Sequence, residues 1–486
     1  METKHIIALI FMIVLGCSTL LALAIWPRLR PAALFALVFG SIVSTWLDVN
    51  LFGQYWYRGT TRGVEISFVD IIAFGLLVAE FVTPRHERRR WLWPAGLALF
   101  VLYLGYCTVS VVAGTPKIHG VWELANVFRA TLIILAAATV VRTRNDLAIV
   151  VFALACATCV EAVYGFKQRF LSGIYRVPGT FDHENTLSTY LCTVTPLLLA
   201  AALSDWSKWL RWFCGAVCGI AFVTELLTIS RAGIPIFLFG LMGVTFFCVT
   251  WRITFRKIAI GSAIALVAAV LFAATWEQIK SRYESASLTE EYLNEENEGR
   301  GVYFRWANAM VEDHPFGVGL NNWSYYVSKT YGARLGFRYE DYDDIQGSPE
   351  KADLPAINYA APAHSLVALT LGELGYPGLI LMALAWLRWF QLGATFLWRR
   401  LNSDPMHRLG IGCLFGLLGV FLSNATEWTY RQSGIIFTCH LVVGVLASLH
   451  YEKRHARATA PADDEIEEDE EEAFEVETEV LPHPTR

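Results

Sequence analysis

FCGAVCGIAFVTELLTISRAGIPIFLFGLMGVTFFCV, residues 213–249, belongs to two apolar blocks (212–229 and 234–250) with only Ser230 to Gly233 between them. A segment crossing ~30 Å of hydrocarbon needs ~20 mostly apolar residues, because only a helix satisfies its own backbone there. The stretch therefore reads as two membrane helices joined by a very short turn. Outward from it the pattern repeats. Blocks at 6–26, 32–52, 67–83, 91–113, 121–141, 147–166 and 185–203 precede it; 258–276, 363–385, 409–426 and 433–450 follow. Together they predict an all-α integral membrane protein of 12–13 transmembrane helices. Composition agrees: 55% of the 486 residues are hydrophobic and 17% charged, too few polar groups to cover a soluble domain.

The blocks divide the chain. Residues 1–276 form the first part of a helix bundle, 277–362 a large, partly helical outer loop, and 363–450 the last part of the bundle. Residues 451–486 read as a disordered acidic cytoplasmic tail, with 12 acidic and no basic residues between Asp463 and Glu479. Without those 12, 39 basic residues face 32 acidic ones, so the net −5 becomes +7 and the acidity belongs to the tail.

Orientation follows from Lys and Arg. Alternate loops, near residues 29, 88, 143, 210, 254, 400 and 455, carry 20 of them; the opposite short loops carry eight. The richer side is cytoplasmic. The loops near 55, 117, 175, 231 and 430, and the 277–362 loop, then face outward. The ten cysteines all lie in or beside apolar blocks, which suits helix packing and suggests neither a disulfide framework nor a zinc site. Asp341-Tyr-Asp343 has the D-x-D form of a metal site, but its acidic, polar surroundings read as a solvated loop.

Four segments at the outer side carry chemistry. Arg176-Val-Pro-Gly-Thr-Phe-Asp-His183-Glu-Asn185 is a turn leading into a span, with Asp182, Glu184 and Asn185 as candidate capping or first-turn residues. Ser230-Arg231-Ala-Gly233 puts one arginine in a short turn, as a phosphate ligand or as a side chain snorkelling to headgroups. Gly301 to Asn322 reads as an amphipathic helix bearing Arg305 and stopped before Pro315, then a Gly317-Val-Gly319 turn. His364, at the mouth of the next span, is either a polar helix end or a proton acceptor. Glu373 lies about 2.5 turns deeper, where it caps a helix break near Pro377 or serves a cavity.

The order of these motifs resembles the O-antigen ligase / O-antigen polymerase superfamily (Wzy_C type). The match runs over R-x-x-G-x-F-x-x-x-N (Arg176 to Asn185), S-R-x-G (Ser230 to Gly233), Arg305 with Trp306 then H-P-x-G-V-G (His314 to Gly319), and H-S-L with G-E-x-G-x-x-G (His364 to Gly378). The family's tryptophan lies further along the helix, whereas here it adjoins Arg305. The resemblance implies a metal-independent, cofactor-free glycosyltransferase with no nucleic-acid partner. Such enzymes take a glycan from an undecaprenyl-pyrophosphate carrier and pass it to an acceptor hydroxyl. The acceptor is a lipid A-core sugar in ligases, another glycan in polymerases, and a protein Ser or Thr in O-oligosaccharyltransferases; the ligase reading is preferred here. His364, Arg305 and Arg231 are then the expected catalytic residues. Arg176, His183, Asn185, Gly317, Gly319 and Glu373 are the expected substrate-binding ones. A bicarbonate-type transporter is the rival of another class, since it too places charges beside a cavity. The two halves show no matched pair of Gly/Pro-broken segments to favour it.

Overall fold

The computed structural model describes residues 3–42, 48–54, 56–83, 93–249, 254–255, 276–277, 280–281, 301–340, 359–398 and 403–459. Twelve of the thirteen apolar blocks form helices. They are α1 (Thr3–Ile25), α2 (Arg30–Ile42), α3 (Phe68–Val82), α4 (Leu97–Ala113), α5 (Lys117–Val140) and α6 (Arg144–Phe166), then α7 (Glu184–Leu203), α8 (Lys208–Thr228) and α9 (Gly233–Cys248). After the loop helix α10 (Gly301–Asp313) come α11 (Leu366–Ala394), α12 (Pro405–Thr426) and α13 (Ser433–Thr459). The block at 258–276, the tail beyond 459, and Asp341 and Asp343 lie outside the described residues.

The chain is a multi-pass, all-α membrane protein, and its spans are uneven. Seven described helices are long and apolar enough to cross a membrane, while Leu97–Ala113 and Gly233–Cys248 are apolar but shorter. Ile10–Ile25 and Pro27–Ile42 are bent by 111°. Proline disfavours helical backbone in the residue before it, and Trp26 accordingly leaves the helix at φ −117°, ψ 85°. The 32–52 block is also shorter than expected, because its helix ends at Ile42. Asp48–Leu51 instead pairs antiparallel with Val64–Ser67, Asp48 opposite Ser67.

Side-chain contacts sort the connections to two ends. At one end Arg30 meets Glu80 and Thr83, Arg144 meets Asp404, and Ser403 donates to Asp205. These are connections of the arginine-rich set. At the other end Thr60 meets Asn321 and Glu123, Arg176 meets Thr228, and Asn185 meets Ser230 and Glu427. The short loops poor in basic residues and the loop carrying α10 therefore gather together.

Two glycine devices position that second end. Along α12, a Cβ on Gly412, Gly416 or Gly419 would come within 2.3–2.9 Å of α7 atoms, among them the Thr193 and Cys192 carbonyl oxygens. Only bare glycine lets the two backbones approach this closely. The helices run antiparallel, so the start of α7 lies against the end of α12. The other device is a break in α11 at Gly375 (φ 62°, ψ −169°), ahead of Pro377. The break and the missing proline N–H leave the Gly372 and Glu373 carbonyls without helical donors. Val318 N donates to Gly372 O (3.0 Å) and Gly319 N to Glu373 O (2.9 Å), while Tyr106 donates to Leu374 O. A Cβ on Gly317 would lie 2.2 Å from Glu373 O, and one on Gly375 would lie 2.3 Å from Pro315 O. The two glycine motifs thus fit each other backbone to backbone.

Candidate functional site

Ser365 caps α11 by accepting from Ala368 N, which leaves His364 just outside the helix. The backbone of Leu366 donates to Glu427 O (2.9 Å), tying the start of α11 to the residue that follows α12. Glu427 is extended (φ −138°, ψ 173°). One of its oxygens, Oε2, lies 2.9 Å from His364 Nδ1. The other, Oε1, accepts from Asn185 Nδ2 at 2.7 Å. Asn185 Oδ1 in turn accepts from Arg176 Nη2 and from Ser230 Oγ, both at 3.1 Å. Arg176 is fixed further by Thr228 O and by an ion pair with Glu184. The first, second and fourth sequence motifs therefore meet in one chain of polar contacts, from Arg176 and Ser230 through Asn185 and Glu427 to His364. Its members differ in access to water: the His364 side chain is 34% exposed and that of Glu427 8%.

The third motif approaches through its helix. α10 packs on α11, and the Tyr303 ring centroid lies 5.9 Å from that of His364. Arg305 is two residues on, on the exposed side of α10, whereas Gly301 is buried. Arg231 follows Ser230 and is buried at 7% exposure, so it is held within the protein rather than reaching outward. Arg231 is thus next in the chain to Ser230, and Arg305 is two residues from Tyr303, a spacing that turns the side chains of Arg305 and Tyr303 to different sides of the helix. The glycine of S-R-x-G has a packing reason of its own. A Cβ on Gly233 would lie 1.8 Å from Ser188 Oγ of α7.

The remaining expected residues are placed as follows. His183 is the N-cap of α7, its Nδ1 accepting from Asn185 N (3.1 Å), and Glu184 occupies the first turn. Gly317 and Gly319 are engaged with the break in α11 by their own backbones. Glu373 is 1% exposed and does not join His364; its Oε2 accepts from Arg431 Nη1 at 3.1 Å. The same Nη1 is 3.4 Å from Glu123 Oε1. Burial works against the charge on Arg431, but Glu373, Tyr103 and Glu123 more than offset it and hold its pKa above the ordinary guanidinium value. Glu123 continues to Thr60, and Thr60 to Asn321, so this buried pair braces the end of the bundle on which the His364 cluster stands.

A separate cluster surrounds Arg129 of α5, with Asp70 at 2.8 Å, Glu65 at 3.4 Å and Asp48 at 3.6 Å. It pins the two-stranded hairpin to the bundle. Burial pushes the Asp48 carboxyl up to about 7, against the lowering pull of Arg129.

Glu427 and Arg431 were not among the residues expected from sequence. Their signal was modest: two charges in the short Glu427-Trp-Thr-Tyr-Arg431 connection between the last two apolar blocks.

Residues 216–383 match the family model described as O-antigen ligase (Wzy_C). The resemblance to that superfamily therefore stands, over a stretch that includes Arg231, Arg305, Gly317, Gly319, His364 and Glu373. Arg176, Asn185 and Glu427 lie outside it. A search of the curated proteins found no match to this chain.

Proposed function

From the O-antigen ligase match over residues 216–383, we propose that this membrane protein is a glycosyltransferase. It moves a glycan from an undecaprenyl-pyrophosphate donor to an acceptor hydroxyl, a lipid A-core sugar, at the periplasmic face of a bacterial inner membrane. The observation that carries the reading is the His364–Glu427 contact at a half-open helix mouth, linked through Asn185 to the Arg176 and Ser230 segments. His364 takes the proton of the acceptor hydroxyl as its oxygen attacks the anomeric carbon. The bond from that carbon to the pyrophosphate oxygen breaks, and the charge of the leaving pyrophosphate is met by Arg231 and Arg305. No divalent metal is required in this scheme, since arginines supply the positive charge.

The first test is deletion of the gene followed by gel analysis of surface glycans. A ligase predicts loss of all capped lipopolysaccharide. Loss of long chains only would assign a polymerase, and loss of glycan from proteins an O-oligosaccharyltransferase. Unchanged glycans would remove the proposal.

The donor role of the arginines makes a separate prediction. Arg305→Ala should remove a charge-assisted contact worth roughly 1.5–3 kcal/mol, read as weaker transfer at limiting donor. Lysine at 305 should restore little, because the two-pronged hydrogen bonding of the guanidinium is lost. Near-normal transfer by purified Arg305→Ala enzyme under those conditions would take Arg305 out of the donor site.

A further inference from the structure

A carboxylate has acceptors only, and Glu427 meets the His364 ring nitrogen through Oε2 and the Asn185 amide nitrogen through Oε1. The orientation of Asn185 is fixed from its other side as well. Arg176 can only donate, so the Asn185 atom facing it is the oxygen, and the NH₂ group is left to face Glu427. The chain of donors and acceptors has one consistent direction: Arg176 and Ser230 to Asn185, Asn185 to Glu427, and His364 to Glu427. It follows that the neutral imidazole carries its proton on Nδ1, and its lone pair on Nε2.

We propose that Glu427 is the positioning residue of the reaction, holding His364 in the tautomer and orientation that let Nε2 accept the proton of the acceptor hydroxyl, with Asn185 aligning Glu427. This rests on the reading of His364 as the acceptor's base. Glu427 lies beyond the matched stretch and touches neither glycan in the scheme; it acts through the imidazole. The device also joins the two halves of the site. The residues that orient Asn185 are Arg176 and the neighbour of Arg231, so the segment assigned to the donor helps to set the geometry of the base.

Gln at 427 cannot replace the carboxylate. Its NH₂ must face either the Asn185 NH₂ or His364 Nδ1, and in the second case the imidazole proton moves to Nε2, where the base is needed. Glu427→Gln should lower kcat at least about tenfold, the direction seen when a catalytic histidine loses its orienting carboxylate. KM for the lipid-linked donor should stay within about twofold. Asn185→Asp, which removes the donor and sets a second negative charge against Glu427, should act in the same way and serves if Glu427→Gln folds poorly.

The deciding experiment is a double-variant cycle on the purified full-length protein, measuring transfer from a synthetic polyprenyl-pyrophosphate glycan. His364→Ala, Glu427→Gln and the two together are compared, with Asn185→Asp in place of Glu427→Gln where needed. If Glu427 works through His364, the double variant is no slower than His364→Ala alone, within about twofold. Losses that multiply, or a Glu427→Gln enzyme with wild-type kcat beside a crippled His364→Ala, would overturn the positioning role and leave the base assignment intact. A His364→Ala enzyme as fast as wild type would instead remove the base assignment, and the positioning role with it.

Discussion

Replacing His364 by alanine is expected to slow glycan transfer by ~10²–10⁴-fold, the usual yield of a positioned general base. Donor binding should persist, because the arginines assigned to the pyrophosphate lie on other segments. The loss should therefore fall on kcat. The geometry favours a base over a simple polar helix end. A helix-end histidine needs no carboxylate, yet Glu427, with a side chain only 8% exposed, is held at 2.9 Å from Nδ1 by Asn185. Transfer within about threefold of wild type across the neutral range would be far below the effect of losing a base, and would exclude the role. His183, the N-cap beside Asn185, would then be the next side chain to test.

Arg431→Ala is expected to have the largest effect on stability. Arg431 is 2% exposed and stands between Glu373 at 1% and Glu123 at 0%. Truncating it leaves two buried carboxylates without their counter-charge, and breaking a buried pair in this way costs about 3–5 kcal/mol. The cost should appear as a lower unfolding temperature in detergent and a poorer yield of monodisperse protein. Neutralising the whole group, with Arg431→Met, Glu373→Gln and Glu123→Gln together, should recover much of the loss, since a removed network costs less than a broken one. An Arg431→Ala protein that melts with the wild type would contradict this account of the brace. The prediction separates Glu373 from the substrate. It expects Glu373 variants to fail in folding before they fail in chemistry.

Apolar run length placed most of the helices, because the backbone's need for internal hydrogen bonds in hydrocarbon leaves few alternatives. It failed where a local event interrupted a run. Pro27 turned α1 and α2 into a bent pair, and the 32–52 block gave up its end to a strand at Asp48. Motif order pointed to the segments that meet at His364, but the role of each residue depends on contacts across hundreds of positions. Gly317 and Gly319 look like a ligand-binding turn in sequence, and in space they complete the broken α11. Glu427 gave almost no signal, since one acid at the end of an apolar block is ordinary. Its importance comes from Gly412, Gly416 and Gly419 bringing α12 against α7, which sets Glu427 beside Asn185, 242 residues away.

The most direct test of the central claim is transfer by the purified protein reconstituted in liposomes. Undecaprenyl-pyrophosphate-linked glycan and lipid A-core acceptor are supplied, with EDTA and no nucleotide present. The expected result is glycosylated acceptor with one undecaprenyl pyrophosphate released per glycan moved, and neither product from the His364→Ala protein. Donor left intact by the wild-type protein in the presence of acceptor, or glycan transferred equally well by His364→Ala, would contradict it.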